Sequence, residues 1–111
     1  MGVKLGDAGG IESGGYTEAS LRIHADDLTQ GLTGNNNFGI NTNDAPDIFH
    51  GHMILTLEDA ANFTWCESHV GFGATDKSMI GGGSKSLSAE LTQVQVLGGT
   101  YDAGAVNIMY Q

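Results

Sequence analysis

Four short runs between Gly51 and Gln111 decide the fold: GHMILTLED (residues 51–59), FTWCESHV (63–70), KSLSAELTQVQV (85–96) and AVNIMYQ (105–111). In the first run Met53, Leu55 and Leu57 share one side, because successive side chains of a strand point to opposite faces. Turn-forming residues separate the runs, among them GGGS (81–84) and GG (98–99). This pattern predicts an all-β chain folded as an antiparallel β-sandwich or a jelly-roll-like fold.

The rest of the chain divides by composition. Residues 1–15 are rich in glycine, and we expect a flexible N-terminal arm there. Residues 16–111 are predicted to form a single β domain, beginning with a strand from Tyr16 to His24. Two long loops are predicted at 31–47 and 71–84. The strand that follows the second loop, from Lys85 to Leu97, changes parity, and a bulge at Thr92-Gln93 would accommodate the change.

The predicted core is thin, because the 111 residues include eighteen glycines and only eight aromatic side chains. Association would bury more apolar surface, so a homo-oligomer, or a chain bound to a larger assembly, is expected. The side chains predicted to anchor the core are Leu55, Leu57, Trp65, Val106 and Ile108.

The formal charge of −9, with only four basic residues, argues against several partners. Binding to nucleic acid requires clustered cations, and so does binding to an anionic membrane surface. No stretch is long and apolar enough to span a membrane, and the first residues lack the apolar run of a secretory signal. Cys66 is the single cysteine, so we expect a small buried thiol without an intramolecular disulfide. His69 is predicted to point to the opposite face of the same strand.

Several residue groups suggest chemistry, and each has a simpler structural interpretation. His50 and His52 could ligate a metal, but no third ligand has a diagnostic spacing. The GGGSKS run (81–86) lacks the glycine that a phosphate loop places before its lysine. The remaining candidates are the oxygen ligands Asn41, Asn43, Asp44 and Asp47, and the carboxylates Glu58, Asp59 and Glu67. No catalytic motif is complete, so we predict neither an enzyme nor a bound cofactor or metal.

Residues 51–111 resemble the small β-rich virion proteins of tailed bacteriophages, a group that includes capsid decoration (cement) proteins and some tail-fibre ends. The resemblance is carried by LTLEDA (55–60), TW (64–65), GGGSKSLS (81–88), ELTQVQV (90–96) and YDAGAVNIMYQ (101–111). It implies a structural protein of the virion, and no catalytic residue is carried over with it.

The leading hypothesis is a decoration protein made in the host cytoplasm. It would bind the outer surface of the lattice of the major capsid protein and reinforce the shell by bridging subunits. The arm and the two loops would make the contacts, through Val3, Leu5, Ile11, Phe38, Ile40, Phe72, Met79 and Ile80. The alternative is a receptor- or glycan-binding module at a tail-fibre or tail tip, where Phe38 beside Asn35–Asn37 would stack on a sugar. A small hydrolase is a third, weaker hypothesis.

Overall fold

The computed structural model describes residues 1–25, 29–42, 49–73, 76–98 and 104–111. Every regular element in these ranges is a β-strand, and two antiparallel sheets pack together as a β-sandwich, which confirms the predicted fold class. The strands are β1 Gly2–Asp7, β2 Gly10–Ile11, β3 Tyr16–His24, β4 Thr29–Gly34, β5 Phe38–Gly39, β6 His50–Asp59, β7 Thr64–Gly73, β8 Lys77–Ser86 and β9 Gln93–Leu97. A search of the described residues for a helix able to cross a membrane found none.

The larger sheet has five strands in the order β4-β3-β8-β7-β6. Its β6–β7 hairpin forms across the turn predicted at residues 58–62, where the Oδ1 atom of Asp59 accepts hydrogen bonds from the backbone N–H groups of Ala61 and Asn62. The side-chain amide of Asn62 donates to the other carboxylate oxygen at 2.7 Å. These donors lower the pKa of Asp59, because they stabilise its charged form.

The smaller sheet is built around β1, which pairs with β2 and β5 along one edge and with β9 along the other. The prediction of a flexible arm over residues 1–15 is therefore wrong, and these residues belong to the same sandwich as the rest of the chain. Glycine in β1 permits close strand pairing: a Cβ atom on Gly6 would lie 2.5 Å from the carbonyl oxygen of Gly10. The glycine content of this segment thus reflects close packing.

The hydrophobic core lies between β1 and one end of the larger sheet. Its buried side chains are Val3, Leu5, Tyr16, Phe38 and Leu87, and Met53, Leu55, Phe63, Trp65 and Leu91 pack against them. The rings of Tyr16 and Phe38 meet edge to face at 5.0 Å. The Tyr16 hydroxyl accepts a hydrogen bond from the N–H of Leu5 at 2.8 Å and donates one to the carbonyl of Glu12 at 2.9 Å.

Three of the five predicted core anchors lie outside this core. Leu55 and Trp65 are partly buried against it, but Leu57 is 46% exposed, and Val106 and Ile108 are each 66% exposed. Leu57 lies at the end of β6, where the register with β7 shifts. Val106 and Ile108 belong to residues 104–111, which form no strand. Their alternating side chains therefore do not contribute to a sheet within the described part of this chain.

Both predicted loops contain strands. The 31–47 range includes most of β4 and all of β5, and its residues 43–47 lie outside the described ranges. In the 71–84 range, β7 continues to Gly73 and β8 begins at Lys77, so the glycine run that was expected to turn lies in the middle of a strand. The long strand predicted from Lys85 to Leu97 instead ends at Ser86, and β9 begins at Gln93 in the other sheet.

Candidate functional site

Much of the five-stranded sheet buries polar side chains and exposes apolar ones, although Met79 of β8 is fully buried. On β3, Tyr16, Glu18, Ser20 and Arg22 are buried. The alternate positions, which include Leu21 and Ile23, are exposed. Strands β7 and β8 continue the pattern: Glu67, His69 and Lys85 are buried, whereas Val70, Phe72 and Ile80 are exposed. Sheets in water normally have the opposite arrangement, with apolar residues toward the core.

We call the exposed side of this sheet the outer face. Its register places Val70, Ile80 and Leu21 side by side on three neighbouring strands. Six apolar side chains, each between 41% and 54% exposed, form this patch: Leu21, Ile23, Ile54, Val70, Phe72 and Ile80. At roughly 200 Å² for a fully exposed residue of this size, they present roughly 500–600 Å² to solvent. That area is at the upper end of the largest apolar patch on a typical monomer, about 300–600 Å².

The outer face carries little charge. The chain has thirteen carboxylate side chains, but on the described strands of this sheet only Glu58 and Asp59 lie at outward positions, both at the end of β6. The Oε2 atom of Glu58 accepts a hydrogen bond from the Cys66 thiol at 2.9 Å. That bond raises the pKa of Cys66, because the thiol is the donor. Cys66 is therefore a partly exposed, protonated group, where a buried thiol was expected.

The opposite side of the sheet, the inner face, contains a cluster of buried ionisable groups. The Nδ1 atom of His69 lies 3.0 Å and 3.1 Å from the two carboxylate oxygens of Glu67. Burial raises the pKa of Glu18, and the charge of Glu67 acts in the same direction. Together they outweigh hydrogen bonds from the backbone of Gly39 and Gly34. Among the described residues, no hydrogen-bond partner is present for Glu18 Oε2, Ser20 Oγ or His69 Nε2.

The glycine run of β8 provides the space for this cluster. Gly81 pairs with both His69 and Ser20, and Gly83 pairs with Glu67 and Glu18. A Cβ atom at position 81 would collide with the His69 ring, and one at position 83 would lie 2.9 Å from the Cβ atom of Glu18. The run that superficially resembled a phosphate loop therefore accommodates buried side chains inside a sheet. The sequence carries no separate signal for this role, because the register that brings Gly81 and Gly83 beside the inward residues is set by the pairing of β8 with β3 and β7.

A second polar group joins the two sheets. The Lys85 ammonium lies 2.5 Å from Glu12 Oε2 and 5.4 Å from the centre of the Tyr16 ring. The ammonium lowers the pKa of Glu12. Asp7 accepts a hydrogen bond from the Ser88 hydroxyl and another from the backbone N–H of Gly9, and both lower the pKa of Asp7. The Glu12 contact attaches the residue after β2 to the end of β8, and the Asp7 contact attaches the β1–β2 turn to the segment that follows β8.

The structure exposes some of the predicted capsid-contact residues and buries the others. Phe72 and Ile80 lie on the outer face, and Ile11 is partly buried in β2. The other five are buried: Val3, Leu5, Phe38, Ile40 and Met79. In this fold those five side chains are not available to a partner, because three are part of the core cluster and the others are at most 4% exposed. The sequence did not identify Leu21, Ile23, Ile54 and Val70 as exposed residues. Their alternation placed them on one face of a strand but did not show whether that face was buried.

The other candidate groups are not assembled into a site. No cluster of three or more His, Cys, Asp or Glu side chains within the described ranges could hold a metal ion. His50 and His52 are exposed on β6, and Asn43, Asp44 and Asp47 lie outside the described residues. Glu67 points to the inner face, whereas Glu58 lies on the outer face, so these carboxylates do not form an acid/base pair. A shallow cleft of about 310 Å³ runs beside Asn35–Asn37 and Glu18, but the aromatic ring expected there, Phe38, is fully buried.

The C-terminal segment, residues 104–111, is the most exposed apolar part of the chain. Val106, Ile108, Met109 and Tyr110 are between 66% and 94% exposed, and no hydrogen bond joins the segment to another described residue.

Comparison with known proteins finds no family, no curated protein and no solved structure that matches this chain. The function proposed below therefore starts from the surfaces described above.

Proposed function

We propose that this protein is a structural subunit that docks onto a larger assembly through the outer face of its five-stranded sheet. The observation that carries the proposal is the inverted sheet, with six apolar side chains exposed and charged groups buried beneath them. Covering roughly 550 Å² of apolar surface corresponds to a transfer free energy of roughly 14 kcal/mol before the cost of association is subtracted. A partner that covers this face would stabilise the chain considerably.

The partner that best fits is the capsid lattice of a tailed bacteriophage, with the chain acting as a decoration protein. The resemblance of residues 51–111 to virion proteins supports this choice, and so does the charge distribution. A chain with a net charge of −9 would repel an acidic shell, but the carboxylates on the described strands of its outer face, Glu58 and Asp59, lie together at one end. Contact through this face therefore requires an apolar patch on the shell and few compensating charges. Bridging adjacent shell subunits would reinforce the lattice.

The test is binding of the purified chain to purified expanded capsids of the phage that encodes it, measured by co-sedimentation and by the temperature at which the shells rupture. Ile80→Glu places a charge in the centre of the outer face, between Val70 and Leu21. Ala61→Glu adds the same charge in the exposed β6–β7 turn and is the matched control. We expect the wild type and Ala61→Glu to bind and raise the rupture temperature, and Ile80→Glu to do neither.

Failure of the wild type to bind the shells would refute the proposal, and so would equal binding by Ile80→Glu. Ile80 is half exposed, so the variant should fold, which thermal unfolding would check. A receptor-binding module at a tail tip is less well supported, because the aromatic ring proposed to stack on a sugar is buried. Copy number per virion separates the two functions, since a decoration protein is present in hundreds of copies and a fibre tip in tens or fewer.

A further inference from the structure

The C-terminal segment has the pattern of a strand without a sheet. Val106, Ile108 and Tyr110 alternate with Ala105, Asn107 and Met109, and none of these side chains is charged. The apolar members of the segment present roughly 600 Å² to solvent, at roughly 200 Å² for each fully exposed residue. An isolated strand of this kind gains both hydrogen bonds and apolar contacts when it joins a sheet edge.

Strand β6 is an edge strand in the described part of the sheet and could receive such a strand. Among the described strands it pairs with β7 alone, so the backbone groups along its other side have no strand partner. Natural edge strands are usually protected by lysine, proline, a bulge or short length. In contrast, β6 is ten residues long, contains neither lysine nor proline, and shows a register shift only between Leu57 and Asp59.

The side chains of the segment and of the edge correspond. Met53, Leu55 and Leu57 lie on the inner side of β6 at a spacing of two residues, and Val106, Ile108 and Tyr110 have the same spacing. A strand added beside β6 would place three apolar side chains against three. It would also cover Leu57, which is exposed, and Met53 and Leu55, which are only partly buried at the rim of the core.

We propose that the C-terminal segment of one copy adds as a sixth strand to the β6 edge of a second copy. Each copy carries one segment and one edge, so reciprocal exchange closes a symmetric pair. The packed rows of the two donated segments, Val106, Ile108 and Tyr110 in each, present about 900 Å² to solvent before the surface that they cover on β6 is added. A stable interface buries at least about 1,200 Å² in total, counted over both partners. This inference concerns how copies join each other and does not depend on the capsid. It uses the edge of the sheet, whereas docking onto the shell uses the outer face.

The first test is the size of the full-length chain as a function of concentration, measured by sedimentation velocity. Ile108→Asp places a charge in the apolar row of the segment, and Asn107→Asp places the same charge on its other side. We expect the wild type and Asn107→Asp to associate, and Ile108→Asp to associate at least about tenfold more weakly. Because Ile108 is 66% exposed in the single chain, the variant should keep the melting temperature of the unassociated protein.

The second test identifies the partner of the segment. Two populations, both carrying Cys66→Ser, are mixed and oxidised: one has Leu55→Cys and the other Ile108→Cys, because the middle residues of the two rows face each other in either strand direction. A cross-linked heterodimer is expected, and replacing Leu55→Cys by Ser13→Cys, at an exposed position outside β6, should abolish it. A wild type that stays monomeric, equal association by Ile108→Asp, or loss of association in Ile80→Glu alone would overturn the inference. The last result would assign the outer face to contacts between copies, and capsid co-sedimentation would still test docking onto the shell separately.

Discussion

At the scale of single residues, the inner face of β8 depends on having no side chains at two positions. Gly81 and Gly83 lie opposite His69 and Glu18, whose buried side chains occupy the space that a Cβ atom would need. Glycine in a strand interior normally weakens it by loss of chain entropy and packing. Here that cost is offset, because the glycines let three ionisable side chains lie inside the sandwich without steric conflict.

Gly81→Ala should therefore destabilise the protein by about 1–3 kcal/mol, the usual cost of overpacking an interior. The new methyl group would lie 2.7 Å from His69 Nε2 and 2.8 Å from the carbonyl oxygen of Ala19. Chemical denaturation measures the effect. Gly82→Ala is the control within the same strand, because its Cβ atom meets nothing closer than 3.2 Å, and its effect should be much smaller. Equal effects of the two substitutions would contradict the packing described for His69.

The raised pKa of Glu18 predicts a dependence of stability on pH. Its folded-state pKa lies above the ordinary value of 4.5. Between pH 4.5 and that folded-state pKa, the folded protein therefore binds more protons than the unfolded chain. The contribution of Glu18 is most favourable below pH 4.5 and is lost as pH rises through the folded pKa. Glu18→Gln removes this loss, so the variant should gain stability relative to wild type with increasing pH.

The measurement for Glu18→Gln is the melting temperature of both proteins between about pH 4 and pH 7, the range in which a shifted carboxyl titrates. Glu90→Gln, on an exposed side chain, controls for the change in net charge. A difference between Glu18→Gln and wild type that stays constant across this range, or moves in favour of wild type, would show that burial does not raise the pKa of Glu18.

At the scale of elements, the contributions of β1 and β3 to the core are the opposite of what their composition indicates. The glycine-rich β1 is the centre of the smaller sheet and buries Val3 and Leu5 completely or nearly so. The β3 strand, with its regular apolar row, turns that row outward. The contacts show the difference: β1 lies over the core, whereas the inward side chains of β3 lie beside the glycines of β8 and the buried ionisable side chains of β7.

The same substitution in the two strands should have very different effects. Leu5→Ala removes a side chain that is 0% exposed and should cost about 2–5 kcal/mol, the range for a core leucine. Leu21→Ala removes one from the outer face and should cost the unassociated chain less than about 1 kcal/mol. Urea unfolding at low protein concentration measures both. A larger cost for Leu21→Ala than for Leu5→Ala would mean that the faces of β3 are assigned the wrong way round.

At the scale of the whole molecule, the charges and the apolar surface are separated. The net charge of −9 makes copies of the chain repel each other. This repulsion is weakest at the outer face and at the C-terminal segment, which are apolar and carry few charged side chains. Added salt screens the repulsion between acidic chains and leaves apolar contact intact. An acidic protein whose contacts are apolar should therefore assemble as well or better in salt, unlike a protein held by ion pairs.

Association between copies and binding to capsids should both persist or strengthen when NaCl is raised from about 0.05 M to about 0.5 M, across which the Debye length falls severalfold. Sedimentation velocity and capsid co-sedimentation measure the two processes separately. The Ile108→Asp and Ile80→Glu variants serve as references for each surface. Dissociation with rising salt would instead indicate contacts dominated by ion pairs, and would count against the apolar surfaces proposed here.

The amino-acid sequence alone determined that the chain is all-β, that Tyr16–His24 is a strand and that the β6–β7 hairpin turns near residues 58–62. These features follow from local alternation and turn chemistry, which need no distant partner. Only the tertiary structure decided which face of β3 is buried, that Gly81–Gly83 are inside a strand, and that β1 is central. Period-two alternation separates two faces but assigns neither to the core, because that choice depends on which strands and side chains pack against each face.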